Sequence, residues 1–282
     1  LARQIKRNSL LIEKREPSMS GLPKAMILKM KHALKAYVAK TFNLYMKPIV
    51  HTRYMADHSV VTRLLRYILP DNPVYVEIGA GIQGSAPTFH RELGVRKENC
   101  YLIEACPNNF PLLVKNTSGG YRHFHLAITD KNAEVPFYIY MDKTRPDYPS
   151  SKLNTVDRDY AIARFGGEKN FHEVIVRGVT FDSFLDEQGI KTVDLLMVNC
   201  EGAEYNIFDR DGAFWSKLGF VMITLHVGWG TADTLRETRY RIFDRFLSNG
   251  FELIGGHERA DIEDSDHNLE YFFQRKGYGR AP

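Results

Sequence analysis

Cysteine is scarce in this sequence: Cys100, Cys106 and Cys200 are the only three among 282 residues. Their spacing excludes a disulfide framework and a cysteine-based metal site, and it predicts a reduced, cytoplasmic setting. Long apolar runs are missing too. No stretch of about 18 apolar residues occurs, so no membrane-spanning helix is expected. The nearest candidate, residues 25–46, is interrupted repeatedly by lysine. The first residues carry neither the long apolar run nor the small-residue cleavage site of a secretory signal. Internal repeats and low-complexity tracts are absent. The ten histidines show no metal-ligand spacing. His123 and His125 alternate along a predicted strand, on one face, without a third ligand, so no metal site is expected. No basic motif interleaved with aromatics occurs, and none predicts a nucleic-acid partner.

Acidic residues are nearly absent from the first 53 positions, where 12 Lys/Arg stand against 2 Asp/Glu in a chain of net charge +4. Such an arm is most simply a solvated helix face, although it can associate weakly with an anionic surface. Residues 22–47 have an amphipathic period, with Met26, Met30, Leu34, Val38 and Phe42 on one face, and a second helix is predicted over 59–69.

From Pro73 onward short apolar runs alternate with helical stretches. Strands are predicted at 74–78, 99–103, 122–128, 135–141, 193–199, 220–226, 251–255 and 269–275. Helices are predicted at 84–93, 109–116, 204–208 and 234–249. This alternation predicts an α/β fold with a mostly parallel sheet covered on both faces. The last two strands form an antiparallel edge hairpin around the acidic loop 258–266. With 44% hydrophobic residues, the chain supports one sizeable core. The expected division is a basic arm with helices over 1–70 and one α/β domain over 71–282. Residues 142–173 form a long insertion with weak periodicity, and such insertions tend to carry function.

The run Val74-Tyr75-Val76-Glu77-Ile78-Gly79-Ala80-Gly81-Ile82-Gln83-Gly84 reads as a strand turning through glycines into a helix. Gly79 allows the tight turn and Gly81 lets the backbone approach a ligand. Alone the pattern is weak evidence, because dinucleotide dehydrogenases share it. Glu104 ends the next strand about 20 residues later, where a carboxylate accepts ribose hydroxyls and repels a 2′-phosphate. Glu77 either holds the glycine turn or faces a cationic group of the ligand. Two acidic residues at this loop suit a ligand with an ammonium and no phosphate better than a dinucleotide.

A second motif joins Val179-Thr180-Phe181-Asp182-Ser183-Phe184-Leu185 to Val193-Asp194-Leu195-Leu196-Met197-Val198-Asn199-Cys200-Glu201-Gly202-Ala203-Glu204. Together with the Val-Glu-Ile-Gly-Ala-Gly strand, Glu104-Ala105-Cys106-Pro107 and Leu126-Ala127-Ile128-Thr129-Asp130, it resembles the FkbM family of methyltransferases over about residues 50–275. The resemblance implies a Rossmann-like class I methyltransferase sheet and the cofactor S-adenosylmethionine. It also implies methyl transfer to a hydroxyl on a sugar, lipid or secondary metabolite. By the same resemblance Gly79, Ala80, Gly81, Glu104 and Ala105 hold the cofactor, Ala127 and Ile128 lie near its adenine, and Asn199 and Glu201 line the reaction face. Asn199 stands where the family carries Asp, so it keeps hydrogen bonding but loses the charge.

A hydroxyl acceptor needs its proton removed as the new bond forms. His226 ends the predicted strand 220–226, at the carboxyl edge where open α/β sheets gather their reacting groups. It is the first candidate base, with an ordinary imidazole pKa near 6.5, and Glu201 is the second. Trp229 either covers the acceptor or packs. The competing readings are an NAD-dependent oxidoreductase, for which no Tyr-x-x-x-Lys pair is found, and a non-catalytic binding module of the same fold.

Overall fold

The computed structural model describes residues 65–141, 154–226, 232–257 and 268–279. The basic arm, the helix expected at 22–47, Trp229 and the acidic loop 258–266 lie outside the described residues. Of the helix expected at 59–69, residues 65–69 are described, and 65–68 are helical.

The main sheet has seven strands: β1 (Tyr75–Ile78), β2 (Cys100–Ile103), β3 (Arg122–Phe124), β7 (Val193–Val198), β8 (Leu218–His226), β9 (Phe251–His257) and β10 (Asn268–Arg275). Their spatial order is β3-β2-β1-β7-β8-β10-β9. The first five run parallel, while β10 is antiparallel to both β8 and β9. The expected closing hairpin therefore exists, but its second strand, β10, lies inside the sheet, and β9 forms the edge.

Every residue of β1, β7 and β8 is buried. That is the pattern of parallel strands covered on both faces, and it explains their near-continuous apolar runs, interrupted at Glu77, Asp194 and Thr224. Successive residues serve opposite faces. Val76, Ile78, Leu196 and Val198 join a core with Phe184, Phe208, Trp215 and Phe246. Tyr75, Leu195 and Met197 join another with Leu65, Phe89 and Leu113. Each fully buried Leu or Phe among these stabilises the fold by about 1.5–3 kcal/mol relative to an exposed one.

The helices run α1 (Ala86–Leu93), α2 (Phe110–Asn116), α3 (Arg158–Phe165), α4 (Phe181–Glu187), α5 (Glu204–Phe208), α6 (Phe214–Lys217) and α7 (Ala232–Ser248). Helix α1 ends where Gly94 turns left-handed, at φ 71°, and returns its N–H to the His90 carbonyl, a glycine stop.

A second sheet departs from the sequence reading. The expected strand 122–128 breaks after Phe124. Ala127–Thr129 (β4) leaves the main sheet and pairs in parallel with Phe171–Thr180 (β6), which pairs antiparallel with Ala133–Tyr140 (β5). Side chains of Ala127, Val135, Phe137 and Val176 bury a separate apolar cluster, which drives the separation. The described end of the insertion supplies α3, whose Ala161 packs on Tyr138 of β5. Asp157 caps α3 by accepting the Tyr160 N–H, an N-cap of the usual acidic kind. The described part of the insertion, 154–173, is thus a folded element that includes α3 and the start of β6. Among the described residues no helix is long and apolar enough to cross a membrane.

Candidate functional site

In-register pairing brings the carboxyl ends of the central strands to one rim. Ile78 of β1 pairs with Ile103 of β2 and with Val198 of β7, and Val198 pairs with Ile223 of β8. Gly79, Glu104 and Asn199 each follow one residue later, and His226 closes β8.

The glycine turn is packed against the neighbouring strand end. Gly79 has φ 81°, and a Cβ there would lie 1.9 Å from the Asn199 carbonyl oxygen. Only glycine fits. The Asn199 N–H donates to the Ile78 carbonyl (3.0 Å), so the backbone of Asn199 forms one wall of the turn. Gly81, at φ 61°, has open space where a side chain would stand. Ala80 is buried beside the turn.

Glu77 is buried beneath the loop, and its two carboxylate oxygens accept from the Ser85 N–H at 2.9 and 2.8 Å. Of the two roles expected for it, holding the turn is the one its contacts serve. Burial raises its pKa to about 7, against the opposing pull of the Ser85 amide. Glu104 is also buried. It accepts the Gly81 N–H at 2.7 Å and the Cys106 N–H at 2.8 Å, and burial raises its pKa. Ala105 packs against the cluster that contains Ala127, whereas Ile128 belongs to the main core. The two residues expected near an adenine therefore serve different apolar clusters.

A second group forms where β7 and β8 end. Glu204, fully buried at the start of α5, accepts the Cys200 N–H (3.0 Å) and the Gly202 N–H (2.9 Å). Its Oε1 lies 2.7 Å from His226 Nδ1. On the other side of the ring, His226 Nε2 lies 3.3 Å from Glu201 Oε1. That distance is ionic contact, but it is poorly aligned for hydrogen bonding, and the buried Nε2 has no well-directed partner among the described residues. Burial pulls the imidazole pKa down, but the two carboxylates outweigh it and raise the pKa to about 10. The ordinary imidazole pKa expected from sequence is therefore corrected upward: the two carboxylates favour the protonated ring.

Glu201 adopts φ 50°, a left-handed conformation uncommon outside glycine that marks local strain. Its Oε2 accepts from the Tyr160 hydroxyl (3.0 Å). The Tyr160 ring stands edge-on to His226 and covers Gly202, where a Cβ would come within 3.1 Å of it. Tyr160 and the clamping role of Glu204 were not found by sequence reasoning. Glu204 lay in the quoted motif, and its fourfold spacing from Cys200 is the signal available for it. Tyr160 had only its position inside the long insertion.

Other motif residues are structural. Thr180 caps α4 by accepting the Ser183 N–H, and Asp194 accepts the Val74 N–H (2.6 Å) and the Tyr278 hydroxyl. His123 Nε2 lies 2.7 Å from the Thr117 hydroxyl, while His125, beyond the end of β3, stacks on Phe110. Cys200 follows β7 rather than lying within it, and all three cysteines are free. Among the described residues no cluster suits a metal ion.

The loop leaves open space at Gly81, beside the Glu104 carboxylate. It suits a pyrophosphate poorly. Dinucleotide folds place phosphate on the amides that open the first helix. Here the amide of Ser85, which precedes α1, is occupied by the Glu77 carboxylate, and no Lys or Arg occurs in residues 73–90.

The sequence profile of the methyltransferase FkbM domain matches residues 77–278. Among solved structures, methyltransferase FkbM from Methylobacillus flagellatus KT is 13% identical, with 85% of this chain and 60% of that chain covered and a TM-score of 0.42. The putative S-adenosylmethionine-dependent methyltransferase from Listeria monocytogenes is 11% identical, with 79% and 100% covered and a TM-score of 0.41. Methanococcus jannaschii fibrillarin is 9% identical, with 79% and 75% covered and a TM-score of 0.39. No curated protein matches the chain.

Proposed function

The chain belongs to the FkbM methyltransferase family, and we propose that it methylates a hydroxyl oxygen of a sugar, lipid or secondary metabolite with S-adenosylmethionine as donor. The family and the Rossmann-like class I sheet support methyl transfer. The observation that carries the reading to an oxygen acceptor is the Glu204–His226–Glu201 arrangement at the strand rim.

When bound, S-adenosylmethionine supplies a methyl carbon activated by its sulfonium. Gly79, Ala80 and Gly81 shape the loop that would receive it, Glu104 would accept its ribose hydroxyls, and Ala105 and Ala127, with Ile128 on the main-core side, would provide apolar packing near its base. His226, whose charged form the two carboxylates favour, serves as a hydrogen-bond donor and not as the base. Glu201 takes that role, and Asn199 contributes backbone to the wall between the two groups. An acceptor oxygen has two lone pairs. One accepts from the His226 Nε2–H while the other forms the new oxygen–carbon bond as the carbon–sulfur bond breaks and S-adenosylhomocysteine leaves, and the hydroxyl proton passes to Glu201. A neutral amine has a single lone pair and cannot do both. General-base assistance of this kind is worth roughly 10²–10⁴ in rate. The same reading sets the protein in a reducing, cytoplasmic compartment, in keeping with its three free thiols.

The test is a screen of glycans, lipids and small hydroxylated metabolites with labelled S-adenosylmethionine, run beside calorimetry with S-adenosylhomocysteine and with NAD. Binding of S-adenosylhomocysteine alone, with label transferred to a hydroxyl, is expected. Binding of NAD in its place would overturn the reading.

A further inference from the structure

We propose that Tyr160 is a positioning residue for methyl transfer, aiming the Glu201 carboxylate from the insertion. The inference rests on the functional reading above, and three independent observations carry it. The Tyr160 hydroxyl donates to Glu201 Oε2 at 3.0 Å, opposite the oxygen that faces His226. One carboxylate oxygen thus has its own donor while the other lies in ionic contact with the ring, which limits the rotation of the group. Glu201 also sits in the left-handed region, at φ 50°. Such conformations persist where surrounding contacts over-determine them, and the phenol is one of the two side chains seen to hold this one. Finally, Gly202 has no side chain to compete for the space that the Tyr160 ring fills, and its φ of 95° favours glycine.

Tyr160 can do this because its backbone is itself fixed. The Asp157 carboxylate accepts its N–H at 2.9 Å, and the next residue, Ala161, is buried against the second sheet. The hydroxyl is therefore delivered from a rigid helix turn, which is what precise placement of a reacting group requires. No atom of Tyr160 is asked to bond to the acceptor, and the proton passes to Glu201 as before.

Tyr160→Phe removes the hydroxyl and keeps the ring over Gly202. With the best hydroxyl acceptor from the screen, kcat is expected to fall about 10- to 100-fold. The acceptor KM and the affinity for S-adenosylhomocysteine should change less than about twofold, and the unfolding midpoint should stay in place. The ¹⁵N shift of His226 Nε2 should also move as the Glu201 carboxylate loses its second anchor. Unchanged kcat and an unchanged His226 shift would overturn the proposal. A fall in the unfolding midpoint that accounts for the lost activity would overturn it equally, by making Tyr160 a packing residue. Wild-type protein without methyl transfer to any hydroxyl would instead defeat the functional reading, while the His226 shift still decides whether Tyr160 holds Glu201.

Discussion

Two groups of carboxylates, all buried except the partly exposed Glu201, stand at the same sheet rim and are satisfied in opposite ways. Glu77 and Glu104 are held by backbone amides of Ser85, Gly81 and Cys106. Glu201 and Glu204 face an imidazolium and a phenol as well as amides. The first group shapes a loop, and its charges are costly, as burial raises both pKa values. The second group keeps a titratable ring charged. Carboxylates that serve backbone fix a turn, and carboxylates that serve a side-chain ring favour its charged form.

The largest expected effect separates the groups by activity. Glu201→Gln should lower kcat by roughly 10²–10⁴ and leave S-adenosylhomocysteine affinity nearly unchanged, measured by labelled transfer and calorimetry. A variant that turns over normally would leave positioning alone to carry the reaction, and the contrast between the two groups would lose its functional meaning.

Stability against pH separates them next. His226 has a folded pKa of about 10 against an ordinary value of 6.5. A raised imidazole stabilises fully below pH 6.5, and that contribution is lost as pH rises through 10, for a change of a few kcal/mol. Glu77 is raised from 4.5 to about 7, so the folded state holds its proton longer than the unfolded one. Its ionisation removes stability between pH 4.5 and 7, and the loss then levels off. Chemical denaturation across pH 4–10 should show both declines in the wild type. In His226→Gln only the upper one should disappear. Persistence of the upper decline in that variant would place the charged ring elsewhere.

The smallest effect sharpens the role of the loop. Glu104→Ala should weaken S-adenosylhomocysteine about 10- to 100-fold, since a charge-assisted acceptor is worth roughly 1.5–3 kcal/mol. Turnover at saturating cofactor should be little changed. Unaltered affinity in calorimetry would mean that Glu104 serves only Gly81 and Cys106.

Much of this was legible from one strand and its neighbours. The turn from β1 into α1 and the acidic end of β2 are contiguous in sequence, and their periodicity survives unchanged in the structure. The Thr180–Ser183 element was also visible, but its role as a helix cap needed the hydrogen bond from the Ser183 amide. The second sheet was not legible. Residues 122–128 read as one apolar strand, and nothing local says that β4 pairs with a strand some 50 residues later.

What the sequence alone determined is therefore the class of fold, the glycine turn with its two acidic neighbours, and the family motif ending in Glu201 and Glu204. Each of these depends on residues a few positions apart, within reach of local backbone geometry. Tertiary structure decided the rest. Gly79 is obligatory because the Asn199 carbonyl occupies the space beside it. The charged form of His226 is favoured because two carboxylates converge on it in a buried site. Tyr160 meets Glu201 from 41 positions away because a folded insertion carries it there. Charge state and proton path depend on which groups share a buried space, and chain order does not encode that proximity.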